Sequence, residues 1–269
     1  MNRISVTVIT LNEESTLPRL LASLGDVPDD IVVVVDSRST DRTREIAAAS
    51  GARVFVHPWS GQAAQKNFAA EQAQFDWVLN LDADEELSPE LRAELLRWKQ
   101  SATADCVAYS MPRKSLYLGQ WIHHSGWYPD RKVRLYRRDV SRMDGLLHDS
   151  VRVAGSLGRF ECPILHYTFT TFSEHIAKIN RYTSLMAREA HDAGRRAWLV
   201  KLLVVPPWSF FRAYILQQGF RDGARGLLIS VAAAVYGCLR YLKLGAMTMG
   251  LPVDPPAPEP PAERSAKQM

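Results

Sequence analysis

The sequence predicts an α/β fold built on an open, mostly parallel sheet. Short apolar or β-branched runs recur through the first hundred residues, helical patterns alternate with them, and the connections between the two are short. At 269 residues, 46% hydrophobic and 23% charged, the chain can form one large domain, or a domain with an appendage.

The predicted strands are residues 4–9, 31–35, 53–56 and 77–81, each apolar enough to be buried on both faces. A first helix is predicted where Leu17, Leu20, Leu21 and Leu24 recur at i, i+3, i+4 and i+7. A second, residues 42–50, follows the turn-forming Ser39-Thr40-Asp41 and stops at Gly51. The third covers residues 62–74. Ser88-Pro89-Glu90 supplies a cap, a first-turn proline and a favourable charge for a fourth, running to about Lys99. Residues 106–167 change to strands and loops rich in aromatic and basic side chains. Thr171-Phe172-Ser173-Glu174 is a capping box opening a helix to about Asp192. The expected organisation is a first half at 1–104, a second half of the same domain at 105–193, an apolar and basic helical segment at 194–251, and a disordered proline-rich tail at 252–269.

Cys106, Cys162 and Cys238 are scattered and odd in number, which argues against a disulfide framework and fits a reducing compartment. The N-terminus runs straight into a short, polar strand, so no signal peptide is expected.

Ligands of open α/β sheets bind outside the carboxyl ends of the strands. Those ends carry Thr10-Leu11-Asn12-Glu13-Glu14, Asp36-Ser37-Arg38-Ser39-Thr40-Asp41 and Asp82-Ala83-Asp84-Glu85-Glu86. No G-x-G-x-x-G follows the first strand and no G-x-x-x-x-G-K-[ST] occurs, which counts against dinucleotide binding and a P-loop. Asp82 and Asp84 end an apolar strand one residue apart, an arrangement that needs an offsetting positive charge. A hard divalent cation, Mg²⁺ or Mn²⁺, held by carboxylate and diphosphate oxygens meets that need. The competing reading is a solvated acidic loop capping the helix at Ser88.

Four motifs occur in order over the first hundred residues: Val8-Ile9-Thr10-Leu11-Asn12-Glu13, Val34-Val35-Asp36-Ser37-x-Ser39-Thr40-Asp41, Gln65-Lys66-Asn67 and Leu81-Asp82-Ala83-Asp84-Glu85. Together they resemble glycosyltransferase family 2, the inverting enzymes with the GT-A fold. The resemblance implies that Thr10, Asn12, Glu13 and Asp36 line a nucleoside pocket, with Asp36 near the base. It implies that Lys66 lies near the donor phosphates, that Asp82 approaches the ribose or sugar, and that Asp84 reaches the metal. For Thr10 and Asn12 the alternative is helix capping, and for Lys66 a solvent-facing charge.

Inverting transfer needs a base for the acceptor hydroxyl, and the second half offers Asp130, Asp144, Asp149 and Glu161. Gly126-Trp127-Tyr128-Pro129-Asp130, Arg134-Leu135-Tyr136-Arg137-Arg138 and Leu147-His148-Asp149 resemble the subgroup that builds the lipopolysaccharide core, where a His-Glu dipeptide supplies the carboxylate. Here it is His148-Asp149, one methylene shorter, and the resemblance makes Asp149 the base. The alternative is that Asp149 pairs with Arg134 or Arg152. Arg131, Arg134, Arg137 and Arg138 are candidates to grip phosphates of donor or acceptor. Trp121 and Trp127 are candidates to stack on a sugar, with packing as the alternative.

From Arg195 to Leu251 the basic residues are Arg195, Arg196, Lys201, Arg212, Arg221, Arg225, Arg240 and Lys243, against the single acid Asp222. Apolar and aromatic residues interleave with them, and the apolar run 226–239 is shorter than a spanning helix needs. An amphipathic helix lying on an anionic membrane is expected. A homo-oligomer interface and ordinary helix packing are the alternatives. Interleaving with bulky apolar residues argues against nucleic-acid binding.

The expected function is therefore transfer of a sugar from a nucleotide-sugar donor, such as a UDP-sugar, to lipopolysaccharide core or another lipid-linked saccharide. It would take place at the cytoplasmic face of a bacterial membrane, on which the protein is peripheral. Transfer to a polyprenyl phosphate, a peptide or another polymer, and a catalytically inactive scaffold, are the alternatives.

Overall fold

A computed structural model describes residues 2–101, 105–144 and 150–254. They divide into two units, 1–170 and 171–269.

Unit 1 opens with β1 (Ile4–Thr10), α1 (Leu17–Leu24), β2 (Asp30–Asp36), α2 (Thr43–Ala49), β3 (Arg53–His57), α3 (Gln62–Glu71) and β4 (Trp77–Asp82). It continues with β5 (Glu85–Leu87), α4 (Pro89–Gln100), β6 (Ala108–Tyr117), β7 (Gln120–Trp121), β8 (Asp130–Arg137), β9 (Ser141–Asp144), β10 (Ser150–Val153), β11 (Leu157–Arg159) and β12 (Ile164–Phe169). The main sheet runs β3-β2-β1-β4-β8-β6-β12-β5, with β7 and β11 also paired to β6. The first four strands are parallel, as the short βαβ connections require. β8 then runs antiparallel to both β4 and β6. The α/β class expected from the sequence is observed.

Val32, Val33, Val34 and Val35 are all buried because β2 is an inner strand covered on both faces. Strand β3, expected to be buried on both faces, is instead the sheet edge and is only half-buried, with Val56 50% exposed. Leu17, Leu20 and Leu24 of α1 pack with Val6, Val8 and Leu81 in the largest core cluster. Ser88 Oγ accepts from Leu91 N at 3.1 Å, capping α4 with Pro89 in its first turn. Strand β5 is not apparent from sequence. Its inward positions are Glu85 and Leu87, and an acidic residue at a buried position breaks the apolar alternation that marks a strand. Register fixes it nonetheless, with Glu85 opposite His166 and Leu87 opposite Ile164.

Unit 2 contains α5 (Phe172–Asp192), α6 (Trp198–Phe211), a π-helical turn (Arg212–Leu216), a 3-10 turn (Gly219–Asp222) and α7 (Gly223–Thr248). The capping box at α5 is complete: Thr171 Oγ1 accepts from Glu174 N at 3.2 Å and Thr171 N donates to Glu174 Oε2 at 3.3 Å. Thr171→Ala is expected to destabilise α5 by about 1 kcal/mol, read as a lower denaturation midpoint of unit 2. The apolar run 226–239 lies inside a helix of 26 residues. By length and composition, Trp198–Leu216 and Gly219–Thr248 are each long and apolar enough to cross a membrane.

Two glycines of α7 permit close approach to it, Gly226 by the 3-10 turn and Gly245 by α6. A Cβ on Gly226 would lie 1.8 Å from the Gly219 carbonyl oxygen, and one on Gly245 2.7 Å from the Trp198 ring. Asp254 ties the start of the tail to α5 through Arg188 at 2.7 Å and Ser184 at 2.8 Å. Residues 255–269, the rest of the expected disordered tail, lie outside the described residues. The three cysteines are free.

Candidate active site

The loops after β1 and β2 are laced together at the carboxyl edge of the sheet. Asn12 adopts a left-handed φ of 55°, a conformation asparagine tolerates better than most residues. Its Oδ1 accepts from Thr40 N at 2.9 Å, and its own N donates to Ser39 Oγ at 3.0 Å. Glu13 N donates to Thr43 Oγ1 at 2.8 Å and Glu14 N to Asp41 Oδ2 at 3.0 Å. Asn12 is thus a clasp between two loops rather than a helix cap. Thr10 is buried, with Oγ1 3.4 Å from the Val34 carbonyl. Asp36 is buried and accepts from the Arg38 guanidinium at 2.6 Å. That hydrogen bond, outweighing burial, holds the Asp36 carboxyl below its ordinary range. Arg38 is 59% exposed in its side chain, and its guanidinium lies over the Trp59 ring at 5.8 Å.

At the end of β4, charged groups are buried together. Lys66, on α3, is fully buried and places Nζ 2.7 Å from Asp82 Oδ1. Arg134, on β8, is buried and donates to Asp82 Oδ2 at 2.6 Å and to Glu85 Oε1 at 2.5 Å. Glu85, also buried, accepts from Asp82 N at 3.0 Å through its other oxygen. Burial alone would raise the Asp82 pKa. The Arg134 and Lys66 charges outweigh it and hold the carboxyl well below the usual carboxylate range. Arg134 is shifted the opposite way: burial opposes its charge, while Asp82 and Glu85 raise its pKa above the ordinary value. The network continues from Glu85 to Arg113 at 3.7 Å and from Arg113 to Asp130 at 2.7 Å. Lys66 is therefore placed beneath Asp82, not at the surface.

Asp84 is placed differently. Its carboxylate is 38% exposed and Oδ2 lies 3.2 Å from His166 Nε2, across the β5–β12 pairing. The Thr168 and Ser115 hydroxyls stand 3.0 and 3.4 Å from His166 Nδ1, where they orient the ring. Nearby, burial raises the Glu13 pKa, and the Asp84, Asp41 and Asp82 carboxylates push the same way against a hydrogen bond from Thr16. Carboxylates thus converge on one edge of the sheet. Among the described residues no three His, Cys, Asp or Glu side chains are grouped to hold a metal by themselves. One exposed carboxylate with one imidazole fits a cation that takes its remaining ligands from water and a diphosphate, as Mg²⁺ commonly does.

Other sequence-nominated residues are dispersed. Arg137 lies beside Trp77, at the opposite end of β4 from Asp82, and pairs with Asp139 at 2.6 Å. Trp127 packs edge-on to Tyr117 at 5.3 Å and beside Phe169 at 6.4 Å, and Trp121 packs on Tyr167 at 5.5 Å. Asp144 pairs with Arg152, and Glu161 with Arg131. Asp149 and His148 lie outside the described residues. Sequence reasoning did not single out Glu85 or His166. The pairing of β5 with β12 brings them together, and only the three-residue strand β5 could have signalled it.

The family model described as Glycosyl transferase family 2 matches residues 5–157, more than half of the chain. An uncharacterized glycosyltransferase of Rickettsia typhi is 32% identical over 260 residues, covering 93% of this chain and 89% of the relative. The lipopolysaccharide core biosynthesis glycosyltransferase LpsC of Rhizobium meliloti is 32% identical over 249 residues, covering 90% of this chain and 91% of the relative. Among solved structures, S. aureus TarS 1-349 in complex with UDP-GlcNAc superposes with a TM-score of 0.48 at 15% identity, covering 93% of this chain and 92% of that one. The match across the α/β unit and the near full-length relatives establish that the chain belongs to glycosyltransferase family 2.

Proposed function

We propose that the protein transfers a sugar, with glucose one candidate, from a UDP-sugar to lipopolysaccharide core or another lipid-linked saccharide, inverting the anomeric centre. The observation that carries this reading is the end of β4, where Asp82 is held ionised by buried Lys66 and Arg134 while Asp84 stays exposed beside His166. The acceptor class is supported by the relative from Rhizobium meliloti, named for lipopolysaccharide core biosynthesis.

Thr10, Asn12, Glu13 and Asp36 line the nucleoside pocket in this reading, and Asp36 meets the base once Arg38 has swung aside. Asp82 is aimed at the ribose or sugar, and its two cationic partners keep it a charged acceptor. Lys66 serves the phosphates indirectly, by fixing Asp82. Asp84, with His166, would hold Mg²⁺ or Mn²⁺, which when bound supplies charge neutralisation for the departing diphosphate. Asp149 takes the proton of the acceptor hydroxyl as it attacks the anomeric carbon. The protein works on the cytoplasmic face of a bacterial membrane as a peripheral protein, supported by the exposed apolar side chains of unit 2.

Incubation with a panel of UDP-sugars and Mn²⁺ is expected to release UDP slowly in the absence of acceptor. Asp149→Asn is expected to reduce transfer to acceptor by at least about a hundredfold with donor affinity unchanged. Undiminished transfer in that variant removes Asp149 from the role, and absence of UDP release from every donor favours a catalytically silent scaffold.

A further inference from the structure

The face of α6 turned away from α7 is apolar along its whole length. Trp198, Leu202 and Val205 of α6 pack on the core formed by Ala187, Ala190, Tyr241 and Leu244. The other side presents Leu199, Val200, Leu203, Val204, Trp208 and Phe211, and Ile215 of the π-helical turn extends it. Leu199 and Val200 are adjacent, as are Leu203 and Val204, and steps of three or four join these pairs to each other and on to Trp208, Phe211 and Ile215, so they form one continuous stripe. Leu203 and Val200 are 69% and 66% exposed. In unit 1 the exposed large apolar residues Leu11, Val56, Trp59 and Leu157 are spread over separate loops and strands. A continuous apolar stripe of this length marks an interaction surface.

Charge selects the occupant. From Arg195 to Leu251, eight basic residues face the single acid Asp222, and Asp222 is buried. Arg195, Arg196 and Lys201 stand at one end of α6 and Arg212 at the other, all exposed. A second copy of the chain would bring the same excess of positive charge to the interface, whereas an anionic lipid surface complements it.

Length selects the mode. Between Lys201 and Arg212 there are ten uncharged residues, 202–211, and between Arg225 and Arg240 fourteen, 226–239. At 1.5 Å per residue these runs reach about 15 and 21 Å, short of the roughly 30 Å hydrocarbon core. A spanning orientation would carry Lys201 or Arg212 into the core, while a helix lying flat keeps both at the headgroups.

We propose that α6 and the π-helical turn after it lie in the plane of an anionic lipid leaflet, the stripe from Leu199 to Ile215 immersed and the basic residues at the headgroups, with neither α6 nor α7 crossing the bilayer. This deepens the membrane association proposed above and rests on it.

The test uses the full-length protein with vesicles of phosphatidylglycerol and phosphatidylethanolamine, or of phosphatidylcholine alone. Binding is expected to favour the anionic vesicles and to weaken with salt. Leu203→Glu with Phe211→Glu is expected to lower vesicle affinity at least tenfold while UDP-sugar hydrolysis is unchanged. Arg195→Gln, Arg196→Gln and Arg212→Gln together leave the stripe intact and are expected to abolish the anionic preference, which keeps the proposal testable if the first variant misfolds. Quenching of the Trp208 contribution, taken against Trp208→Phe, is expected from lipids brominated near the headgroup and not from lipids brominated at the chain ends. Equal quenching from chain-end bromines, or undiminished binding by both variants, overturns the in-plane assignment while leaving membrane association standing. Loss of a lipid-free oligomer in Leu203→Glu with Phe211→Glu, without any vesicle binding by the parent chain, overturns both. UDP-sugar hydrolysis, read in parallel, reports on the catalytic reading separately.

Discussion

Arg134→Met is expected to destabilise unit 1 by about 3–5 kcal/mol, the usual consequence of removing one partner from a buried ion cluster. The Arg134 guanidinium serves Asp82 and Glu85 together. Glu85 would be left with Arg113, 3.7 Å away, and Asp82 with Lys66 alone. Glu85 would stay fully buried and Asp82 largely so, each with a cationic partner missing, and the desolvation they have already undergone would no longer be fully offset. For a unit of this size the melting temperature is expected to fall by roughly 10 °C. Calorimetric scanning checks this, with hydrogen exchange in β4 and β8 assigning the loss to unit 1. Adding Glu85→Gln to Arg134→Met is expected to recover part of it, because Glu85 then carries no uncompensated charge while Asp82 keeps its pairing with buried Lys66. An unchanged melting temperature in Arg134→Met would show that the cluster is solvated and not structural.

Asp84→Asn is expected to do the reverse, leaving stability nearly unchanged and lowering transfer at least about a hundredfold, equivalent to about 2.7 kcal/mol of barrier. Asn preserves the size of a side chain that is already 38% exposed. It removes the negative charge to which a cation would bind, while its amide oxygen can still accept from His166 Nε2. Steady-state kinetics across Mn²⁺ concentrations checks this. The variant's residual activity is expected to respond little to added metal, whereas Asp82→Asn, which strips a partner from buried Lys66 and Arg134, is expected to lower stability as well as activity.

The difference between these two aspartates shows what sequence could and could not reveal. Strands β1 to β4 were legible because each is a short apolar run bounded by helical periodicity, and the capping box at Thr171 was legible because its partners are three residues apart. Asp82 and Asp84 were visible as a pair at a strand end for the same local reason. Their separate environments were not. Arg134 is 52 residues from Asp82 and His166 is 82 residues from Asp84, and only the order in which β8 and β12 join the sheet brings these groups together. Glu85 was hidden by its own burial, because an acidic residue facing the core reads as a loop. Arg137 misled in the opposite way. It shares a strand with Arg134 and the same side-chain type, yet it stands three residues along, at the far end of the β4–β8 ladder. Basic composition in β8 was readable, but which end of the strand faces the site depended on an antiparallel pairing that composition does not encode.

The direct measurement of the central claim is a calorimetric titration of UDP into the full-length protein with Mn²⁺, repeated after chelation and with Asp84→Asn. The account predicts saturable UDP binding that depends on the cation, disappears on chelation and is lost in the variant. UDP binding of equal strength in all three conditions, or no binding of UDP in any of them, would contradict it.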